Sequence, residues 1–305
     1  MTGLVDLQVN GYAGVDFNAD AISDESLVDV CSRLKADGVD KILATIITAP
    51  FEAMLSRVHR IASAIDSFPE VAAVIAGIHV EGPFISPVDG YVGAHPQDAV
   101  MKADVEAASR LLDAGDGRVR LLTLAPEMDS DASVTRHLTE QGIVVAGGHS
   151  DASGDQLDAA IDAGLTLFTH LGNGCPAMLP RHDNIIQRVL ARSDRVSVSL
   201  IADGHHVPDF ALKNYLQCIP DDRVIIVTDA IGAAGLGPGQ YTLGDQTVHV
   251  DPDGAAWAAD RTHYAGCATT MPSMVKILQD RVGARPDQID RWTRENPTKL
   301  LGGKF

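Results

Sequence analysis

The feature that most constrains this chain is a repeated couplet, a short apolar run followed by an amphipathic stretch, which recurs eight times along 305 residues. The apolar runs span 4–9, 41–48, 71–80, 119–124, 143–147, 165–169, 196–202 and 224–228. Each is rich in Val, Ile and Leu and lacks polar alternation, as strands buried on both faces of a parallel sheet should be. Helical stretches are predicted between them at 24–36, 51–67, 103–114, 130–141, 155–163 and 209–218. Ser23 and Ser153 stand where N-caps belong, and Gly38, Gly115, Gly142 and Gly164 follow last turns. Eight strand–helix units predict an α/β fold of the (β/α)8 TIM-barrel type, one catalytic domain over 1–305. The alternative is a doubly wound open sheet. It wants a glycine-rich phosphate turn after the first strand, and Asn10-Gly11-Tyr12-Ala13-Gly14 is not a G-x-G-x-x-G.

Charge narrows the partners. The chain has 24 basic and 41 acidic residues and a formal net charge of −17, a field that repels phosphate backbones and anionic headgroups. A small-molecule substrate is expected, with neither nucleic acid nor membrane. The amino terminus has no basic segment leading into a long apolar one, so neither signal peptide nor bilayer span is expected. Cys31, Cys175, Cys218 and Cys267 form no Cys-x-x-Cys pair, which predicts a reduced, cytoplasmic protein without a cysteine zinc site.

In a barrel of this kind the chemistry sits where strands end, at the carboxyl face. Those positions hold Gln8 and Asn10 after the first run, Glu81 after the third, His149 after the fifth and His170 at the end of the sixth. His205 and His206 follow the seventh run, and Asp229 ends the eighth. Any one histidine alone reads as a satisfied core residue. Together, Glu81, His149 and His170 supply the carboxylate and two imidazoles that zinc or ferrous iron accepts, with a position left open for water. His79, two residues before Glu81 on the same strand face, is the rival ligand and is expected one layer deeper. Asp229 reads either as a cap of the next helix or as the general base beside a metal site, and the rim around it favours the base.

These residues lie in a series of motifs. They are Asp6-Leu7-Gln8-Val9-Asn10-Gly11, His79-Val80-Glu81-Gly82-Pro83-Phe84, Gly93-Ala94-His95, Leu124-Ala125-Pro126-Glu127 and Gly148-His149-Ser150. Further on come Thr169-His170-Leu171-Gly172-Asn173, Ile201-Ala202-Asp203-Gly204-His205-His206, Val227-Thr228-Asp229-Ala230, Ala265-Gly266-Cys267 and the Asn296-Pro297-Thr298-Lys299 stretch. In this order, across nearly the whole chain, the set resembles the amidohydrolase superfamily and, within it, the N-acetylglucosamine-6-phosphate deacetylases. The resemblance implies removal of the acetyl group from the sugar phosphate, leaving acetate and glucosamine 6-phosphate. It implies one divalent metal per subunit, zinc or iron, held by Glu81, His149 and His170, with Asp229 as acid/base. Gln8-Val9-Asn10 stands where most amidohydrolases carry a His-x-His pair, so a second metal position is expected to be empty. Gln8, His95, Asn173, Arg181 and His206 fall at substrate-binding positions, and Arg181 would reach the phosphate from the neighbouring subunit of a homodimer.

Three departures accompany the resemblance. The family's small β-sandwich domain is expected to be missing or reduced. The 174–184 loop around Arg181 is worded differently, and Cys267 stands where serine is usual. The alternatives are an amidohydrolase acting on another N-acyl compound, such as a different acetylated amino sugar or an N-acylamino acid, and a non-catalytic sugar-binding barrel.

Overall fold

The computed structural model of the chain describes residues 3–243, 246–261 and 264–303. Met1 and Thr2, part of the stretch read above for a signal peptide, lie outside them.

Eight parallel strands pair in chain order: β1 (Leu4–Val9), β2 (Val39–Ile47), β3 (Ile75–Glu81), β4 (Val119–Leu124), β5 (Val144–Gly147), β6 (Leu165–Phe168), β7 (Ser197–Ile201) and β8 (Val224–Val227). The last meets the first: Val9 and Ala230 form a parallel bridge, Asn10 N–H donates to the Ala230 carbonyl at 2.7 Å, and Asp229 N–H donates to that of Gln8 at 2.9 Å. The sheet therefore closes on itself as the expected (β/α)8 barrel. Helices pack outside with an apolar stripe inward. In α1 (Asp24–Ala36) this stripe is Leu27, Val30, Cys31 and Leu34 at helical spacing, and in α2 (Phe51–Ser67) it includes Met54, Val58, Ile61 and Ile65. Ser23 caps α1 by accepting from Ser26 N–H. Ser153 and Gln156 form a reciprocal capping box on α5 (Gly154–Asp162). Between α2 and α5 lie α3 (Val105–Ala114) and α4 (Ser133–Glu140).

Helices at Ile185–Leu190 and Met271–Ile277 were not among the expected stretches, and two further differences concern strands. β3 begins at Ile75 rather than at 71, because Pro69 opens a helical turn, Pro69–Ala72, that claims the first apolar residues. Beyond β8, where the sequence suggested no element, Gly239–Leu243, Gln246–Val250 and Ala256–Ala258 form a three-stranded antiparallel sheet. Its Val248, Val250, Ala256 and Ala258 join Ile231, Ala233 and Ala265 in a small core of their own. Among the described residues no helix is long and apolar enough to cross a membrane.

The barrel interior is polar towards its carboxyl end. His79 is fully buried, with Nε2 at 2.8 Å from Thr123 Oγ1 and Nδ1 at 3.4 Å from Thr45 Oγ1, and burial holds its pKa down near about 4. It lies among hydroxyls rather than in the cluster described below. Asp6, 2% exposed, spans the β1–β8 seam by accepting from Thr228 Oγ1 at 2.6 Å and from Thr228 N–H at 3.2 Å. Burial pushes its carboxyl up to about 7. The folded state thus holds a proton that the unfolded chain releases near pH ~4. The stabilisation is full below that pH and lost as pH rises to about 7, a change of about 4 kcal/mol. Urea midpoints measured across this window are expected to fall less steeply with pH in Asp6→Asn than in the parent. An equal slope in both proteins would assign the dependence elsewhere.

Candidate active site

Backbone conformation marks the rim before any side chain is considered. His149, His170 and Asp229 have φ of 50°, 29° and 52°, left-handed values that cost non-glycine residues free energy and persist where surrounding structure holds them. All three fall just past a strand end, at β5, β6 and β8, where the turn out of the barrel aims the side chain over its mouth.

Glu81, the last residue of β3, is 2% exposed. Its Oε1 lies 2.9 Å from His170 Nε2, 3.3 Å from His149 Nε2 and 3.0 Å from Gln8 Nε2, which donates to it. Burial opposes charge on this carboxyl, but the two imidazoles outweigh it and hold its pKa well below the usual range. For His170 the same burial penalty is overcome by the Glu81 carboxylate, and its pKa is raised. Gln8 also accepts from Thr169 Oγ1 at 2.8 Å, so its amide ties Glu81 to the end of β6 from below. His149 Nδ1 sits 2.8 Å from the Tyr91 carbonyl and must donate to it, which orients the ring so that Nε2 faces Glu81. Gly174 packs against the ring: a Cβ there, on a backbone of φ +60°, would come within 2.8 Å of His149 Nδ1.

His95 completes the cluster. Its ring lies edge-on to that of His149, centroids 4.4 Å apart, and burial, reinforced by His149, pushes its pKa down to about 3. Glu81, His95 and His149 offer ligand atoms all within 4.8 Å of one another, while His170 approaches the shared Glu81 oxygen independently. The geometry therefore puts both His95 and His170 beside the Glu81–His149 pair. The donor set suits a metal. Two ligands at ~2.0–2.2 Å from one tetrahedral ion stand about 3.3–3.6 Å apart, which the 3.3 Å His149 contact meets and the 2.9 Å His170 contact reaches by widening about 0.4–0.7 Å. The buried Nδ1 atoms of His95 and His170 have no hydrogen-bond partner among the described residues.

Asp229 stands alongside. Asn10 Nδ2 donates to its Oδ1 at 2.7 Å, and burial, then the nearby Glu81 charge, raises its pKa. His206, partly buried, is held by Asp203, whose Oδ2 meets its Nδ1 at 2.6 Å. Asn173 folds back on His170, its Nδ2 donating to that carbonyl at 3.3 Å. Arg181 is exposed, in the same loop as the 90% exposed Met178, and has no ion pair among the described residues. Sequence reasoning passed over three supports: Asn10 as the holder of Asp229, Asp203 as the holder of His206, and the Tyr91 carbonyl behind His149. Asp203 had a local signal, an Asx turn in which its Oδ1 accepts from His205 and His206 N–H at 2.9 Å each. The Tyr91 contact uses a main-chain oxygen, which no residue type announces.

No family model matches the chain. Sequence comparison finds N-acetylglucosamine-6-phosphate deacetylase of Homo sapiens, 36% identical, with 98% of this chain aligned to 74% of that protein. N-acetylgalactosamine-6-phosphate deacetylase of Escherichia coli O157:H7 is 30% identical, with 98% of this chain aligned to 77% of it. Among solved structures, a variant of N-acetyl-D-glucosamine-6-phosphate deacetylase from Mycobacterium smegmatis in complex with N-acetyl-D-glucosamine-6-phosphate superposes with a TM-score of 0.88 at 32% identity, over 99% of this chain and 77% of that one.

Proposed function

The chain belongs to the N-acetylglucosamine-6-phosphate deacetylase family, and on that premise we propose that it hydrolyses the acetamido bond of N-acetylglucosamine 6-phosphate to acetate and glucosamine 6-phosphate. The observation that carries the proposal is the convergence of Glu81, His149 and His170 on one carboxylate oxygen with Asp229 beside them.

Glu81, His149 and His170 would hold one divalent ion, zinc or iron, which when bound supplies Lewis acidity towards water and the acetyl carbonyl. The remaining work falls to the chain's own groups. Asp229, with one oxygen engaged by Asn10 and its basicity raised by burial and by Glu81, takes the proton of the attacking water. It then delivers that proton to the departing nitrogen as the C–N bond breaks, releasing the neutral amine and acetic acid, whose remaining proton passes to the amine or to solvent to leave acetate. His95, kept neutral by burial, is placed to donate to the acetyl oxygen as negative charge develops there. His206, with Nδ1 fixed by Asp203, presents its other nitrogen to the sugar. Gln8 acts on this site through Glu81, since its amide oxygen and one N–H are already engaged.

In a protein of net charge −17, a phosphorylated substrate needs a cation placed to receive it. Arg181, exposed and without an ion pair among the described residues, is the proposed one, offered across a homodimer interface to the partner's site. Guanidinium binds phosphate oxygens in a two-pronged fork worth about 10–100-fold in affinity. Arg181→Ala is therefore expected to raise KM for the 6-phosphate by that factor while leaving the unphosphorylated sugar nearly unaffected. Equal small effects on both would remove phosphate reading from Arg181. The four cysteines are unbridged, which fits the cytoplasm. Acetate release over a panel of N-acetylated sugars, with and without 6-phosphate, tests the whole reading. The galactosamine-specific name of one relative makes the C4 epimer the second substrate to try.

A further inference from the structure

A second cluster of ligand-type side chains lies on the same rim. Asp203 and His206 come from the loop after β7. Cys267 is fastened beside the end of β8, where it forms a parallel bridge with Ala230 and accepts from Ile231 N–H at 3.0 Å. One oxygen, Asp203 Oδ2, faces both partners: His206 Nδ1 at 2.6 Å and Cys267 Sγ at 3.6 Å. The ligand atoms of all three residues lie within 4.8 Å of one another.

We propose that Asp203, His206 and Cys267 form a second metal site, one that takes a borderline or soft divalent cation such as zinc or cadmium through a thiolate, an imidazole and a carboxylate. The sulfur–oxygen separation is the telling distance. Bonds of ~2.3 Å to sulfur and ~2.0–2.2 Å to oxygen at a tetrahedral angle put the two atoms about 3.6 Å apart, and they are 3.6 Å apart here. The 2.6 Å imidazole–carboxylate contact must widen by under about 1 Å as the ion replaces the shared proton. His206 retains some exposure, so an ion can enter from the mouth of the barrel. Sulfur sets this cluster apart from the oxygen and nitrogen donors around Glu81, and softness sorts cations between them. On binding, the imidazole proton moves from Nδ1 to the other ring nitrogen and the thiol proton passes to solvent, so affinity rises with pH.

The consequence rests on the deacetylase reading. A cation bound at Nδ1 pushes the His206 ring off Asp203 and so displaces the other nitrogen, the one offered to the sugar; excess zinc or cadmium is expected to raise KM without displacing the ion at Glu81. Binding itself is testable without activity. Cadmium is titrated into metal-replete protein and followed by thiolate-to-metal charge-transfer absorption in the ultraviolet, which nitrogen and oxygen ligands do not produce. One equivalent per chain is expected to give the band in the parent and in Cys218→Ser, a control for the exposed thiol. In Cys267→Ser, a near-isosteric change, cadmium affinity is expected to fall more than about 10-fold and the band to vanish. Cys267→Ala serves as a second variant should serine perturb folding. A band that survives both Cys267 substitutions, or one that disappears with Cys218→Ser, overturns the site. If the band depends on Cys267 yet excess zinc leaves KM unchanged, the metal site stands and its coupling to the sugar contact of His206 is overturned.

Discussion

Asp229→Asn is expected to fold and retain metal like the parent while losing about 10²–10⁴-fold in kcat, the usual contribution of a general acid–base group. The amide keeps the shape of the carboxylate and can still meet Asn10, whose own carboxamide can turn to offer its oxygen in place of the Nδ2 that now donates at 2.7 Å. It cannot accept the water's proton and return it to the amine. Because its φ is 52°, the backbone at this position is already held by its neighbours, and a near-isosteric substitution leaves that geometry alone. Acetate release under saturating substrate, paired with metal analysis of the same preparation, separates the outcomes. Parental kcat in the variant would reduce Asp229 to a structural cap.

Loss of the metal's anchor should be more severe. Glu81 is the group that His149, His170 and Gln8 all address, so Glu81→Gln removes the charge that compensates a divalent ion in a site with 2% exposure. Metal affinity is expected to drop by more than the roughly 10–100-fold typical of losing a supporting outer partner, and activity with it. Two further variants separate the flanking histidines. His170→Asn should strip metal as Glu81→Gln does. His95→Asn should keep the metal and lower kcat, since its part is to meet the acetyl oxygen. Metal content measured by emission spectroscopy decides between them, and the reverse pattern would exchange the two roles, which the 4.8 Å grouping of Glu81, His95 and His149 makes a real test.

The barrel was legible because both faces of its strands are buried. Uninterrupted Val/Ile/Leu runs marked all eight, and α1, α2 and the Asp209–Cys218 helix fall on their expected residues. The error in β3 came from an apolar run shared by two elements, a helical turn at Pro69–Ala72 and the strand itself. The small sheet had a signal of its own, the alternation of buried Val248 and Val250 with the residues between them, but three short strands are easily lost against long buried runs.

The sequence by itself determined which residue types stand at strand ends, because the eightfold repeat places Glu81, His149, His170 and Asp229 at the carboxyl rim wherever such a barrel closes. Only tertiary structure decided what those residues do to one another. That Gln8 braces Glu81, that Asn10 holds Asp229, that Tyr91 orients His149 through its carbonyl, and that Cys267 meets Asp203 are contacts across separations of 73, 219, 58 and 64 residues. Periodicity reports which way a side chain faces along its own element. The distance between two rim side chains depends on barrel closure and on where each loop returns, and no local pattern encodes either.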